Sequence, residues 1–221
     1  MQSNSNKFKL DLHTHSIISH DGGITAQNYT GLIESNVLDY IAITDHNETR
    51  FARIMKEKLG DRIIIGEEVG TTEGEIIGLF LQKTIPGGLT PEETIQAIRQ
   101  QNGLVYIPHP FETFRKGLQA ETLERIAHLI DIVEIFNGRG IWRGKNELAK
   151  AFMFKNGLTG AASSDAHCML GIGMVYNKIR GVPARKQLKK LLRKADFQEE
   201  YAPALSLLCP SINKIKNKLI I

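Results

Sequence analysis

A chain of 221 residues, 42% hydrophobic and 24% charged, can build one sizeable core and is too apolar for a disordered or fibrous protein. Its net charge of +4 is uneven: residues 178–221 hold 11 Lys/Arg against 3 Asp/Glu, a local net of +8. The polar run 1–7 lacks the apolar centre of a signal peptide, and no apolar stretch nears the roughly 18 residues that span a bilayer.

These features predict a cytoplasmic protein that makes no membrane contact, with one domain over residues 1–200 and a short basic tail, 201–221. Cys168 and Cys209 show no paired spacing, so reduced thiols are expected rather than a disulfide framework or a Cys-type zinc site. The basic segment reads as a solvated helix face, since no aromatic residues are interleaved among the Lys and Arg of the 184–195 helix for base stacking. Oligomeric state leaves no trace in the sequence.

In chain order, Phe8-Lys9-Leu10 is the first apolar run and closes on Asp11-Leu12-His13-Thr14-His15-Ser16. If that run is a strand, side chains alternate, and His13 and His15 project to one side with Asp11, which could fix a ring tautomer. Residues 24–36 read as a helix. Tyr40-Ile41-Ala42-Ile43 reads as a buried strand running into Thr44-Asp45-His46-Asn47. A helix over 48–59 precedes the strand Arg62-Ile63-Ile64-Ile65, which discharges into Gly66-Glu67-Glu68. Residues 75–81 form a fourth strand. Thr90-Pro91-Glu92-Glu93 is a capping box with proline at the first helical position, opening a helix to about Gln101.

Leu104 to Ile107 is a fifth strand leading into Pro108-His109-Pro110, and 120–129 is helical. A sixth strand spans 130–136, a helix 145–156, and a short seventh strand, 159–162, delivers Ser163-Ser164-Asp165-Ala166-His167. The last helix is 184–195. Near-continuous apolar strands alternating with helices predict an α/β fold with a parallel sheet, and seven of them suggest a closed barrel.

In parallel β/α folds ligands gather beyond the carboxyl ends of the strands. His13, His15, His46, His109 and His167 all fall just after predicted strands, His20 lies in the loop after the first, and only His128 sits in a helix. A barrel would bring six imidazoles to one rim with Glu68 and Asp165. Burying so many titratable groups without an ion would leave polar atoms unpaired, whereas divalent metals turn the crowding into coordination.

The segments Asp11–Ser16, Thr44–Asn47, Gly66–Glu68, His109-Pro110 and Ser164–His167 resemble, in order, the successive motifs of the PHP (polymerase and histidinol phosphatase) domain family. The likeness covers about residues 8–195. It implies a distorted seven-stranded (β/α)7 TIM-like barrel and two or three metal ions, manganese, zinc or iron, that hydrolyse phosphoesters through an activated water. By position, His13 and His15 would hold one ion, Glu68 would bridge it to a second, Asp165 would complete the set, and His109 would bind the second. His20, His46 and His167 would form a third site, with Asp21 of Ser19-His20-Asp21-Gly22 as the alternative to His20. Glu75 stands where many members carry a histidine, and is either an oxygen ligand or a solvated strand-end side chain. Glu67 should point away from the rim.

Glu134-Ile135-Phe136-Asn137-Gly138-Arg139 resembles a stretch of stand-alone members, near Glu-Val-Phe-Asn-Ala-Arg. Arg139, ahead of Arg115 and Arg143, is the candidate phosphate clamp. Trp142 and Phe114 are assigned no role. The expected activity is phosphoester hydrolysis on a phosphorylated small molecule, with His13, His15, Glu68, Asp165 and Arg139 as catalytic residues. Its competitors are a nuclease acting on single-stranded or short oligonucleotides and a non-catalytic metal-binding regulatory module.

Overall fold

The computed structural model describes residues 7–140 and 143–219. Its strands are β1 (Phe8–Asp11), β2 (Tyr40–Ile43), β3 (Ile63–Gly70), β4 (Glu75–Leu79), β5 (Leu104–Ile107), β6 (Ile132–Asn137), β7 (Thr159–Ser163), β8 (Tyr176–Ile179) and β9 (Asp196–Gln198). Its helices are α1 (Ala26–Glu34), α2 (Arg50–Leu59), α3 (Pro91–Gln100), α4 (Ala120–Ile126), α5 (Arg143–Lys155), α6 (Arg185–Leu192) and α7 (Cys209–Leu219). Thr90 caps α3 as its sequence predicts: its side chain accepts from the Glu93 amide while Glu93 reaches back to the Thr90 amide.

The strands form one sheet in the order β7-β6-β5-β4-β3-β2-β1-β8-β9. Nine described strands therefore replace the expected seven. Tyr176–Ile179 is half polar and Asp196–Gln198 is three residues long, so neither carries the apolar run that marks a buried strand. Nor is the sheet all parallel. Strand β4 runs antiparallel to both β3 and β5, and β8 runs antiparallel to β1 and β9. Only residues 71–74 join β3 to β4, which allows a hairpin and no crossover. The consequence matters for the site: Glu75 opens β4 at the same rim where β3 ends, paired with Gly70.

The ladder comes close to a barrel. At the rim Thr14 bridges Ala166 in parallel, and the His15 amide donates to the Ala166 carbonyl at 2.9 Å. Deeper in the seam, the Asn177 side chain stands in for a missing strand pair. Its Nδ2 donates to the carbonyls of Leu10 (2.9 Å) and Ala162 (2.8 Å), and its Oδ1 accepts from the Ala162 amide (3.0 Å).

Register places the row Glu68, Ile77, Tyr106 and Ile132 on one face, because residues paired across a ladder share a face. Leu10, Leu12, Ala42, Ile64, Ile77, Tyr106, Ile132 and Ala161 pack together as this inner layer. Outside it, α1 and α2 bury Tyr29, Leu32, Phe51 and Met55 against Ile41, Ile43 and Ile63. On the other flank α3, α4 and α5 bury Ile95, Ile98, Leu123, Ile126 and Phe152 against Val105, Ile107 and Val133.

Asp131, buried at the foot of β6, ties three elements to the barrel: it accepts from Lys189 (2.7 Å) on α6, Arg99 (2.6 Å) on α3 and the Val105 amide (3.0 Å). Burial pushes its carboxyl up, but these donors outweigh burial and hold it below the ordinary carboxylate value. A carboxylate lowered on folding stabilises above the unfolded value, about 3.9, and loses that contribution as pH falls through its folded value. Asp131→Asn should therefore cost about 1–3 kcal/mol at pH 7, and the gap to wild type should close below about pH 4. Urea unfolding at pH 7 and pH 3 measures both.

Two expectations about the chain's end are corrected. Residues 201–219 are not a plain tail, for a 3-10 turn over Ala204–Leu208 leads into α7. Cys168 and Cys209 are not free thiols but form a disulfide, with Cα atoms 6.1 Å apart. The two lie 41 residues apart, and only the return of α7 across the rim brings them together. Among the described residues no helix is long and apolar enough to cross a membrane.

Candidate metal centre

Local devices aim the rim side chains. Asp11 does not touch an imidazole, contrary to the alternation argument. Strand β1 ends at Asp11, whose Oδ1 accepts from the amides of Ser164 (3.1 Å) and His13 (3.3 Å). Its carboxylate thereby pins the start of the last motif to the first, and burial raises it to about 7 against those bonds. The tautomer of His13 is set by Glu134: Oε1 lies 3.1 Å from His13 Nδ1 and accepts from the Tyr106 hydroxyl (2.9 Å). With Nδ1–H donating to Glu134, Nε2 is the ring nitrogen that faces the cluster and would ligate an ion there.

Glu134 Oε2 also accepts from the His109 amide (2.6 Å) and Asn137 Nδ2 (2.8 Å). His109 and Asp165 both hold left-handed backbone, at φ +27° and +52°, which non-glycine residues adopt at a cost and which the surrounding bonds sustain here.

Four donors converge. His13 Nε2 and His15 Nε2 are 3.0 Å apart. Glu68 Oε2 lies 3.4 and 3.3 Å from them, and Asp165 Oδ1 3.6 and 3.5 Å. Ligands about 2.0–2.1 Å from one ion stand about 3.3–3.4 Å from each other, so His13, His15 and Glu68, whose donor atoms all lie within 4.8 Å of one another, fit a shared divalent cation, and His13, His109 and Asp165 form a second such set. A divalent cation at the centre of the first set would take both imidazole lone pairs and offset the carboxylate charge gathered there. The donor set therefore fits a metal ion.

Glu68 is the hub. While Oε2 faces His13 and His15 it is also 3.3 Å from His46 Nδ1, and Oε1 is 2.9 Å from His109 Nε2. Burial alone would raise its carboxyl, but the His13 and His46 rings and the His109 contact hold it well below the usual range. Glu75 faces inward, 3.7 Å from His46 Nδ1 and 3.9 Å from His109 Nε2. Burial, then the nearby Glu68 charge, lifts Glu75 to about 9, so this pair of carboxylates asks for compensating positive charge.

A further set joins His15, Asp21, His46 and His167. Asp21 Oδ2 lies 3.4 Å from His167 Nε2 and Oδ1 3.7 Å from His46 Nε2. Between the two loop candidates, the structure places Asp21 among the donors. The side chain of His20 is 60% exposed and belongs to no set whose donor atoms lie within 4.8 Å of one another. Glu67 faces the outer layer, where Oε2 accepts from the Ile85 amide at 2.9 Å.

Above these groups is a cavity of about 170 Å3, lined by Arg115, Lys116, Arg139 and Lys214 together with the imidazoles and acids. Arg115 Nη1 donates to Asp165 Oδ2 (2.9 Å) and Asn137 Oδ1 (2.6 Å), and Arg139 Nη1 to Asp165 Oδ1 (3.3 Å). Phe114 also lines the cavity and is 85% exposed. Trp142 and the side chain of Arg143 lie outside the described residues. Sequence reasoning quoted Glu134 and Asn137 only as neighbours of Arg139. Their signal was the polar pair Glu134 and Asn137 within an otherwise apolar, fully buried strand, a cost that requires partners.

A family model described as PHP-associated matches residues 143–197. The uncharacterized protein MJ1587 of Methanocaldococcus jannaschii is 41% identical over 143 residues, 58% of this chain and 81% of that protein. Among solved structures, a two-domain protein of Bacteroides vulgatus containing a predicted PHP-like metal-dependent phosphoesterase superposes with a TM-score of 0.70 at 16% identity, over 95% of this chain and 70% of that one. The lesion-specific endonuclease of Pyrococcus furiosus gives a TM-score of 0.58 at 15% identity, over 85% of this chain and 56% of that one. With the ordered motifs converging on one rim, these matches make the chain a member of the PHP domain family.

Proposed function

We propose that the chain is a metal-dependent phosphoesterase that hydrolyses phosphate esters by attack of water. The observation that carries this reading is Glu68, whose two oxygens face His13, His15 and His46 on one side and His109 on the other. Such a bridging carboxylate suits two ions, one held by His13, His15 and Glu68 with Asp165 beside them and one by Glu68, Glu75 and His109. Asp21, His46 and His167 would hold a third. The mixed nitrogen and oxygen donors suit manganese, zinc or iron. Divalent ions there would make a water acidic enough to attack near neutral pH and neutralise charge on the phosphoryl oxygens.

The chain's own part is orientation. Glu134 keeps His13 Nε2 free to ligate, and Arg139 and Arg115, both already on the Asp165 carboxylate, stand where a phosphate would enter the cavity. The small cavity accepts the phosphate end of a substrate and leaves the remainder outside. A second reading, hydrolysis of oligonucleotides, is favoured by Lys214, through which the basic C-terminal segment reaches the cavity. Oligonucleotide affinity falling steeply with salt would select it.

Purified protein loaded with Mn2+, Zn2+ or Fe2+ should retain two or three ions by elemental analysis and release phosphate from phosphomonoesters. A chelator should abolish release and added metal restore it, and His13→Ala should lose both metal and turnover. Metal retained with no turnover on a broad phosphoester panel would make the chain a binding module, and no retained metal would refute the centre.

A further inference from the structure

Helix α7 belongs to no strand–helix repeat, yet it lies across the two loops that deliver Asp21 and His167. One amide joins them: Asn213 Nδ2 donates to the Asp21 carbonyl and to the His167 carbonyl, both at 3.0 Å. One turn on, Asn217 Nδ2 donates to the His20 carbonyl at 3.2 Å. The first loop approaches so closely that a Cβ on Gly23 would come within 2.8 Å of Asn213 Nδ2. The second loop is tied covalently as well, since Cys168, next after His167, is bonded to Cys209, the first residue of α7. Pro210 and Lys214 of the same helix line the cavity.

The donors of the third set differ in what holds them. His15 and His46 follow β1 and β2 and are locked by backbone bridges, His15 to Ala166 and His46 to Glu68. Asp21 lies in the loop closed by the Ser16–Ile24 bridge, where its carboxylate accepts from Ser19 Oγ at 3.2 Å, and its carbonyl is bonded to α7, as is that of His167. Releasing α7 would leave the first two sets standing and free the third to spread.

We infer that α7 is a structural part of the metal centre and that Asn213 is a positioning residue, its amide stapling the Asp21 and His167 loops into one donor set for the third ion. This rests on the proposal that the rim binds metal. It gives the basic C-terminal segment a role in metal binding and explains why a helix outside the barrel repeat lies over the cavity. Removing an outer hydrogen-bond partner of ligands commonly weakens a metal site about 10–100-fold.

The test uses the full chain loaded with Mn2+, with bound metal counted by elemental analysis after gel filtration and affinities taken from calorimetric titration. Asn213→Ala should lose one equivalent relative to wild type, or bind its weakest ion about 10–100-fold less tightly, with the remaining ions unchanged. Cys209→Ser should shift the same ion in the same direction by less, and it decides the matter on the same readout if Asn213→Ala does not fold. Unchanged stoichiometry and affinity in the folded variants overturn the assignment, as does equal weakening of every ion. A wild-type chain that retains no divalent ion removes the centre and this assignment together. A wild type with ions beside variants that hold the same number at the same affinities removes the assignment alone.

Discussion

Glu68→Gln should lower turnover by about 1,000-fold or more and reduce bound metal while the fold survives. The substitution keeps shape and volume but removes the negative charge that both sides of the centre share. Charge stabilisation by metal is worth several kcal/mol, and each 1.36 kcal/mol is tenfold in rate, which sets the expected scale. The fold should survive because the inner layer below the rim, Ile77, Tyr106 and Ile132, does not depend on that charge. Phosphate release and elemental analysis on the same preparation read the two effects. Full metal content with wild-type turnover would show that Glu68 is not the bridge.

Asn177→Ala should be among the most destabilising single substitutions outside the centre. Asn177 is fully buried and supplies three hydrogen bonds where no backbone ladder between described strands closes the sheet, two to Ala162 of β7 and one to Leu10 of β1. Its loss strands two carbonyls and one amide, and each buried group left unsatisfied costs about 1–3 kcal/mol. A loss of about 3 kcal/mol is expected after partial relaxation, which for a chain of this size is a fall of roughly 6–12 °C in Tm. Denaturant unfolding gives the free energy directly. A variant within about 0.5 kcal/mol of wild type would mean that the seam is held elsewhere.

Much of the centre was legible because apolar runs end abruptly at histidines and acids: Tyr40–Ile43 before His46, Leu104–Ile107 before His109, Thr159–Ala162 before Asp165 and His167. A buried strand must stop where polar groups begin, so its carboxyl end is marked in the residues themselves. Glu75 was ambiguous for a related reason. It opens its strand, and in an all-parallel sheet the start of a strand lies at the opposite end from the rim. The four-residue connection 71–74 held the answer, since no crossover is that short.

The expectation of seven parallel strands failed on β4, which runs antiparallel, and on β8 and β9, short polar strands added beyond β1 at one end of the sheet. The disulfide and the α7 staple left no local trace, for their partners are far apart in the chain.

Residue order and hydrophobic patterning alone determined that the chain is an α/β protein whose strand ends carry imidazoles and carboxylates, because strand periodicity and burial are properties of short segments. Only the tertiary structure decided that Asp21 joins a donor set while His20 stands on the open wall of the cavity, that Glu134 orients His13, that an antiparallel strand turns Glu75 inward, and that α7 returns to clamp two loops. Those outcomes depend on the closure of the sheet, where an approach of a few ångströms between distant segments selects one of two adjacent side chains.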